Sequence, residues 1–297
     1  MTGAAQITLK VEGAQLRPVL QSAVPLPLDR LLIGRPVAEA ADLLPRLFNL
    51  CRHAQSRAAR LSLGLPDTTG EAEARAEILR DHLARLCQFL PRALGLAPVP
   101  PSLAALGALL PDDLPGLPHW MRGPGMAPLL AQALHIRFAP GEAATTALPP
   151  VGDGAAALLP DPCENSPAGR QAAHPLLQEL EKAFGRGPLW RLLGLLADLA
   201  ALASGKLPPA SRSADGTATV PASRGIYALR LDHAGGIVTG LTRRTPTDHI
   251  LTPGSALLQA LACLPAAKAG LAPVVLALHD PCIAVQLHLP QTETARA

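Results

Sequence analysis

The sequence predicts an α+β protein that is predominantly helical and carries small β-hairpins. Two segments, residues 6–24 and 225–244, alternate apolar and polar residues around the turn signals Gly13 and Gly235-Gly236. Between them, leucine and alanine recur at three- and four-residue spacing in several stretches, as on amphipathic helices. The order of β structure, helices, β structure and a further helix favours a single domain, residues 1–297, whose two ends approach each other.

After the first hairpin, helical spacing runs over residues 37–63 and is interrupted by Pro45. This pattern places Cys51 and His53 on a helix. Residues two apart on a helix lie roughly 200° apart, so these two side chains point in different directions and do not clamp one ion together. Cys51 and Gln55 share a face instead.

Further along the chain, helical periodicity, turn residues and linker-like composition define the other predicted elements. These are a helix at 71–94, short helical turns within 95–118, helices at 172–184 and 189–203, a flexible loop at 206–223 and a flexible tail at 290–297.

Composition excludes several classes of function. The 26 basic and 23 acidic residues are scattered, and only 2% of residues are aromatic, so nothing offers a stacking platform for nucleic acid. The apolar stretches at 189–204 and 255–279 are cut by charged residues and proline, which argues against a membrane span. An odd number of cysteines, five, without a repeated framework or a secretory signal, indicates a reducing cytoplasm.

A thiol lies near each end of the chain. Cys51 lies in "LCRHAQ", and Cys282 follows Asp280-Pro281 in "DPCIAVQLH", which ends on His288. Thiolates select iron, copper(I) or zinc over hard cations. Free cysteine is also among the most buried residue types, so each thiol is either a soft-metal ligand or a core residue, and spacing alone does not show whether the two meet.

The first motif resembles a known signature. "GRPVAEAADLLPRLFNLCRHAQ" is similar to the amino-terminal frame of nickel-iron hydrogenase large subunits, in which an arginine precedes a Cys-x-x-Cys pair and a histidine follows. Arg46 and Cys51 match the arginine and the second cysteine. Phe48 and Gln55 stand where the family has its first cysteine and its histidine.

The second motif resembles the closing Asp-Pro-Cys-x-x-Cys-x-x-His of the same family. Cys282 and His288 match, and Val285 replaces the second cysteine. The resemblance therefore implies two of the four nickel-binding thiolates. It also places His288 where the family binds a second, hard metal ion.

The middle of the chain resembles the large subunit too. In residues 222–249, Arg224 matches an Ala-Pro-Arg-Gly turn, and Pro246 and Thr247 match a Val-Pro-Ser/Thr step that follows a hairpin. In the family these places surround the iron's cyanide ligands, which are anionic hydrogen-bond acceptors. The segment "CENSPAGR", residues 163–170, matches a Glu-x-Gly-x-x-Ala-Arg stretch more loosely.

This combination resembles the hydrogenase expression/formation proteins of the HupK or HoxV type, which look like shortened and degenerate large subunits. The resemblance implies a cytoplasmic, non-catalytic assembly scaffold that binds no nickel. Cys51 and Cys282 would hold an Fe(CN)2CO unit transiently, with Arg224, Pro246 and Thr247 around its cyanides. Maturation carrier proteins and the immature large subunit would be the partners, without nucleic acid or membrane. The alternative is a cofactor-free chaperone or adaptor that binds maturation proteins.

Overall fold

The computed structural model describes residues 4–48 and 50–290. Its strands are β1 (Ala5–Glu12), β2 (Gln15–Gln21), β3 (Ser211–Arg212), β4 (Ala218–Ala222), β5 (Gly225–Ala234), β6 (Ile237–Arg244) and β7 (Val285–His288).

Fourteen α-helices are present in the described part of the chain. They are α1 (Leu28–Leu32), α2 (Val37–Leu43), α3 (Arg52–Ser62), α4 (Glu71–Ala84), α5 (Leu90–Ala93), α6 (Leu103–Leu106), α7 (Leu117–Trp120), α8 (Met126–Arg137), α9 (Pro167–Arg170), α10 (Pro175–Phe184), α11 (Pro188–Ala203), α12 (Pro246–Ile250), α13 (Ala256–Ala262) and α14 (Ala272–His279). Short 3-10 helices lie at Leu44–Arg46, Gly154–Leu158 and Ala266–Leu271, and a π-helical segment at Arg85–Phe89 joins α4 to α5.

A three-stranded sheet brings the two ends of the chain together. Its strand order is β2-β1-β7, with β1 antiparallel to β2 and parallel to β7. The parallel register pairs Ala5 with Val285 and Thr8 with His288. The inward residues of β1, Ile7 among them, are fully buried in the main core. Because Cys282 comes three residues before β7, this pairing fixes the position of the carboxy-terminal motif relative to the rest of the fold.

An antiparallel sheet of order β3-β4-β5-β6 carries the middle motif. The tight turn from β5 to β6 has φ of +57° at Gly235 and +78° at Gly236, a conformation that glycine adopts without steric cost and that suits a two-residue hairpin. Helix α3 packs on this sheet through Ala54, Ala58 and Ala59. Small side chains on that face let the helix backbone approach the strands closely.

Helix α11 runs through the main core and is buried on nearly all sides. A helix inside a protein is expected to be apolar all round, yet α11 carries Arg191 and Asp198. Both charges are paired, Arg191 with Glu164 at 3.1 Å and Asp198 with Arg170 at 2.5 Å. Pairing is what makes these buried charges tolerable.

The structure confirms the fold class, α+β and mainly helical with small hairpins. Both predicted hairpins are present, and helices occupy most of 71–94, 172–184 and 189–203. None of the helices in the described residues is long and apolar enough to cross a membrane.

Two sequence predictions need correction. The helix predicted over 37–63 is broken, and Cys51 lies at the break rather than within a helix. The segment 206–223, predicted as a loop, contains β3 and the largely buried β4, because pairing with β5 overrides a loop-like composition. The flexibility of the rest of that segment and the single-domain organisation stay predictions. The tail residues 291–297 lie outside the described part of the chain.

A two-thiol cavity as the candidate functional site

Cys51 is held at a sharp change of chain direction. It is the N-cap of α3 and has φ 55° and ψ 36°, in the left-handed region. Its carbonyl oxygen accepts a 2.9 Å hydrogen bond from the backbone N–H of Gln55, which starts the helix. A non-glycine residue in this region costs about 1–2 kcal/mol, and such strain concentrates at functional sites.

Cys282 is held in a similar way at the end of α14. The helix stops at Asp280, which is also left-handed, with φ 48° and ψ 63°. The Asp280 carboxylate pairs with Arg85 at 2.9 Å and with Arg224 at 2.8 Å. Pro281 then fixes the turn into Cys282. Strained residues thus place both thiols.

A π-helical turn supports this arrangement. Pro91 has no N–H to donate to the Cys87 carbonyl, which instead accepts a 2.9 Å hydrogen bond from the N–H of Val99. The helix widens over Arg85–Phe89 as a result, and π-helical turns are frequent at functional sites. Arg85, the first residue of this turn, is one of the two arginines that pair with Asp280.

The two thiols meet. A hydrogen bond from Cys51 lowers the pKa of Cys282 to about 7; burial opposes the shift, and the Arg224 charge adds to it. The same hydrogen bond, together with burial, raises the pKa of Cys51 well above its ordinary value. The two thiols therefore titrate as a coupled pair, in which the proton that one sulfur keeps stabilises the thiolate of the other. Cys51 also lies 3.8 Å from the Ser223 hydroxyl oxygen.

Arg224 is buried behind the thiols and held by two carboxylates. Its Nη1 donates to Asp81 Oδ1 at 3.1 Å and Oδ2 at 3.2 Å. Its Nε donates to the Asp280 carbonyl oxygen at 2.9 Å, while Nη2 faces the Asp280 carboxylate. Arg224 is thus fixed as a positive charge beside both sulfurs, although these contacts occupy donors that the family resemblance would aim at cyanide.

The turn that carries Arg224 depends on Gly225. This residue has φ +147°, and a Cβ built on it would collide with the Asn165 side chain and come within 2.8 Å of the Asn165 carbonyl oxygen. Asn165 accepts a 2.6 Å hydrogen bond from the N–H of Ile226 and donates a 2.9 Å bond to its carbonyl. Residues 163–170, the segment that matches the family more loosely, therefore stabilise the turn that carries Arg224.

Pro246 and Thr247 begin α12. Thr245 caps this helix by accepting from the N–H of Asp248, whose carboxylate accepts in return from the N–H of Thr245. Thr247 Oγ1 accepts a 2.8 Å hydrogen bond from the backbone N–H of Cys282. Because a hydroxyl that accepts one bond still has a proton to donate, Thr247 also lowers the pKa of Cys282.

One open cavity of about 730 Å³ collects these residues. It is lined by five of the six side chains predicted as the site, namely Cys51, Arg224, Pro246, Thr247 and Cys282. The sixth, His288, is exposed at the end of β7 and is not among the lining residues. Within residues 4–48 and 50–290, no cluster of three or more His, Cys, Asp or Glu side chains could hold a metal ion. A hard-metal role for His288 stays a prediction.

Further polar side chains line the cavity, among them Gln55, Tyr227, Arg243 and Arg244. Gln55 is buried, and its Oε1 has no hydrogen-bond partner within the described part of the chain. The sequence signal for Gln55 is its place one turn after Cys51. The sequence signal for Tyr227 is that it is the only tyrosine of the chain. For Arg243 and Arg244 the signal is that two arginines stand side by side at the end of a predicted strand.

Comparison with known proteins decides the family. No family model matches the chain. The hydrogenase expression/formation protein HupK of Rhodobacter capsulatus is 50% identical over an alignment of 298 positions, which covers 97% of this chain and 98% of that protein. The chain belongs to the HupK family.

Solved structures extend the comparison to the fold. A chain of the Ni-Fe-Se hydrogenase of D. vulgaris Hildenborough matches this HupK-family chain with a TM-score of 0.58 and 13% identity, over 92% of this chain and 94% of the other. The Ni-Fe-Se hydrogenase of Desulfomicrobium baculatum matches with a TM-score of 0.59 and 11% identity, over 92% and 95%. The resemblance to hydrogenase large subunits inferred from the motifs is thus confirmed at the level of the fold.

Proposed function

We propose that this HupK-family chain acts in hydrogenase maturation as a non-catalytic scaffold. It holds an Fe(CN)2CO unit between Cys51 and Cys282 before the unit passes to an immature large subunit. The observation that supports this most strongly is the meeting of two thiols, 231 positions apart in the chain, beside the buried Arg224 in one open cavity. The name of the relative, a hydrogenase expression/formation protein, agrees with a role in maturation.

The donor set suits iron as cargo. Thiolates are the ligands that favour iron over hard cations, and metal binding requires their deprotonation. Cys282 reaches the thiolate form near neutral pH, and release of the remaining shared proton frees Cys51. Arg224 supplies positive charge beside both sulfurs, and the Thr247 hydroxyl and the Gln55 amide are polar groups at the same cavity.

A site with two thiolates instead of four also suits a protein that releases its iron unit to another protein. Phe48 and Val285 stand where the family resemblance places the other two cysteines. Phe48 is part of the cavity wall, and Val285 pairs with Ala5 in the sheet. Only two of the four expected nickel-binding thiolates are present. This favours a site that holds iron and does not catalyse hydrogen turnover. A maturation carrier protein delivers the unit through the open mouth, and an immature large subunit receives it.

Iron content tests the proposal. The protein is purified without air from cells that express the maturation machinery, alongside Cys51→Ser and Cys282→Ser. Cys263→Ser is the matched control, because Cys263 is exposed and outside the cavity lining. We expect iron to copurify with the parent and the control, and to be lost from both site variants. Retention of iron by both variants would contradict the thiol site, whereas an iron-free parent that still copurifies maturation proteins would indicate a cofactor-free chaperone.

A further inference from the structure

Two arginines on the cavity wall have no carboxylate partner among residues 4–48 and 50–290. Strand β6 ends in Arg243 and Arg244, and both line the cavity. Within the described residues neither forms an ion pair, in contrast to Arg224, and the buried Nε of Arg244 has no hydrogen-bond partner. Asp248 lines the same cavity, but its carboxylate accepts the N–H of Thr245 in the α12 cap. The two guanidinium charges are therefore available to a ligand.

A buried phenol lies beside them. Tyr227 is 2% exposed and lines the cavity, and among residues 4–48 and 50–290 its hydroxyl has no hydrogen-bond acceptor. Burial raises the pKa of Tyr227 to about 12, although the charge of Arg243 and its contact with the phenol oxygen act in the opposite direction. The hydroxyl is therefore a proton donor at neutral pH. Buried donors without an acceptor are rare in folded proteins, so this hydroxyl is a candidate to bind water, an ion or a ligand in the cavity.

Arg243 is held in position by a second contact. Its guanidinium carbon lies 5.3 Å from the centre of the Phe48 ring, within the range of a cation-π interaction. The contact with Phe48 is not a hydrogen bond, so it uses none of the N–H donors of Arg243. The adjacent Arg244 adds a second fork of donors.

We infer that Arg243, Arg244 and Tyr227 form a carboxylate-binding subsite, separate from the thiol pair. A planar carboxylate matches the paired N–H donors of guanidinium groups, and a phenol O–H adds a third kind of donor. The charge that acts on Cys51 and Cys282 comes from Arg224 rather than from this pair.

The size of the cavity leaves room for both ligands. An iron with three diatomic ligands occupies roughly 100–200 Å³, if each ligand takes the space of one or two water molecules at about 30 Å³. The cavity is about 730 Å³. The subsite does not rest on the proposed iron scaffold, and a Cys51→Ser/Cys282→Ser protein is expected to keep it.

Tyr227 provides a direct probe, because it is the only tyrosine in the chain. Protein grown with ring-13C-labelled tyrosine gives a single tyrosine signal in an NMR spectrum. We expect this signal to shift saturably when succinate is added at constant ionic strength. Arg243→Gln and Arg244→Gln are each expected to weaken binding roughly tenfold or more, the cost of one charge-assisted contact.

Three further variants keep the test falsifiable. Arg30→Gln removes the same charge from the exposed face of α1 and should leave the affinity unchanged. Arg243→Lys and Arg244→Lys keep the positive charge but lose the paired N–H donors of the guanidinium group, so they should also weaken succinate binding. They keep the test valid if a glutamine variant fails to fold. Equal affinity in the parent and in the Arg243 and Arg244 variants would overturn the subsite.

A second arm distinguishes the source of the carboxylate. A Gly-Glu-Gly peptide blocked at both ends is compared with its Gly-Gln-Gly counterpart. Saturation by succinate supports a free small carboxylate, and saturation by the glutamate peptide alone supports a carboxylate carried by a protein chain. If neither saturates, or if the glutamine peptide binds equally well, the subsite is wrong.

Discussion

Thr247 Oγ1 accepts a 2.8 Å hydrogen bond from the backbone N–H of Cys282, which joins the middle motif of the chain to its closing motif. The bond is partly buried, and Thr247 is itself buried. It therefore does more than orient a side chain, because it satisfies a backbone donor next to the thiol.

Thr247→Val keeps the shape of the side chain and removes this acceptor. We expect the free energy of unfolding to fall by about 1–3 kcal/mol, the cost of leaving a buried donor unsatisfied. Urea denaturation measures the change. Thr239→Val, on the exposed side of β6, is the control and should stay within about 0.5 kcal/mol of the parent. Equal effects of the two substitutions would mean that the hydrogen bond contributes nothing.

Gly225→Ala tests the turn that carries Arg224. The new Cβ collides with Asn165, and the residue is also strained at φ +147°, so we expect a loss of about 2–4 kcal/mol in unfolding free energy. Gly236→Ala is a matched control, because Gly236 also has positive φ, +78°, but a Cβ added there would meet no other atom within 4 Å. Strain alone predicts about 1–2 kcal/mol at that position. A Gly225 variant as stable as the Gly236 variant would argue against the close approach.

Asp198 balances the charge of Arg170, which in turn donates 2.8 Å hydrogen bonds to the carbonyls of Ala222 and Gly225. Asp198→Asn leaves a buried guanidinium without its counter-ion, so we expect a loss of about 3–5 kcal/mol. The exposed Asp232→Asn should change stability by no more than about 1 kcal/mol. Thermal and urea unfolding of both variants provide the comparison, and a mild effect at Asp198 would show that water reaches Arg170.

His279 makes the stability depend on pH. It is buried, with Nδ1 2.8 Å from the Val275 carbonyl oxygen, and burial lowers its pKa well below the ordinary value, with the Arg191 charge adding to the effect. Since the unfolded chain binds a proton near pH 6.5 and the folded chain does not, the free energy of unfolding falls as the pH drops below about 6.5. The slope reaches about 1.4 kcal/mol per pH unit for this group.

His279→Asn keeps a hydrogen-bond donor but does not titrate. Its stability should therefore depend less on pH than that of the parent between pH 7 and 5.5, as measured by urea unfolding. The exposed His233→Asn should keep the parent's slope. Identical slopes in the parent and the His279 variant would show that His279 becomes protonated without unfolding.

Much of the fold follows from local pattern. Period-two alternation and glycine turns predict both hairpins, and apolar spacing predicts the helices that pack on one face. The pattern does not predict α8, whose apolar residues surround the helix without a polar face. The local pattern also does not predict β4, because this strand lies in a segment rich in alanine, serine and proline. Its pairing with β5 specifies it instead.

The site follows from motif resemblance rather than from spacing. Nothing in the local sequence shows that Cys51 and Cys282 meet, since their contact depends on the pairing of β1 with β7. Helical periodicity passes through Cys51, so the left-handed turn there is not visible in the sequence. The role of Arg224 differs from the expectation in detail, because its carboxylate partners Asp81 and Asp280 come from distant helices.

The central claim is that the two thiols hold an iron unit, and infrared spectroscopy tests it most directly. Carbonyl and cyanide stretching bands report the cargo itself in protein purified without air from cells that express the maturation machinery. We expect these bands in the parent and in Cys263→Ser, and their loss in both Cys51→Ser and Cys282→Ser. Bands of parental intensity in either site variant, or no bands in the parent, would contradict the account.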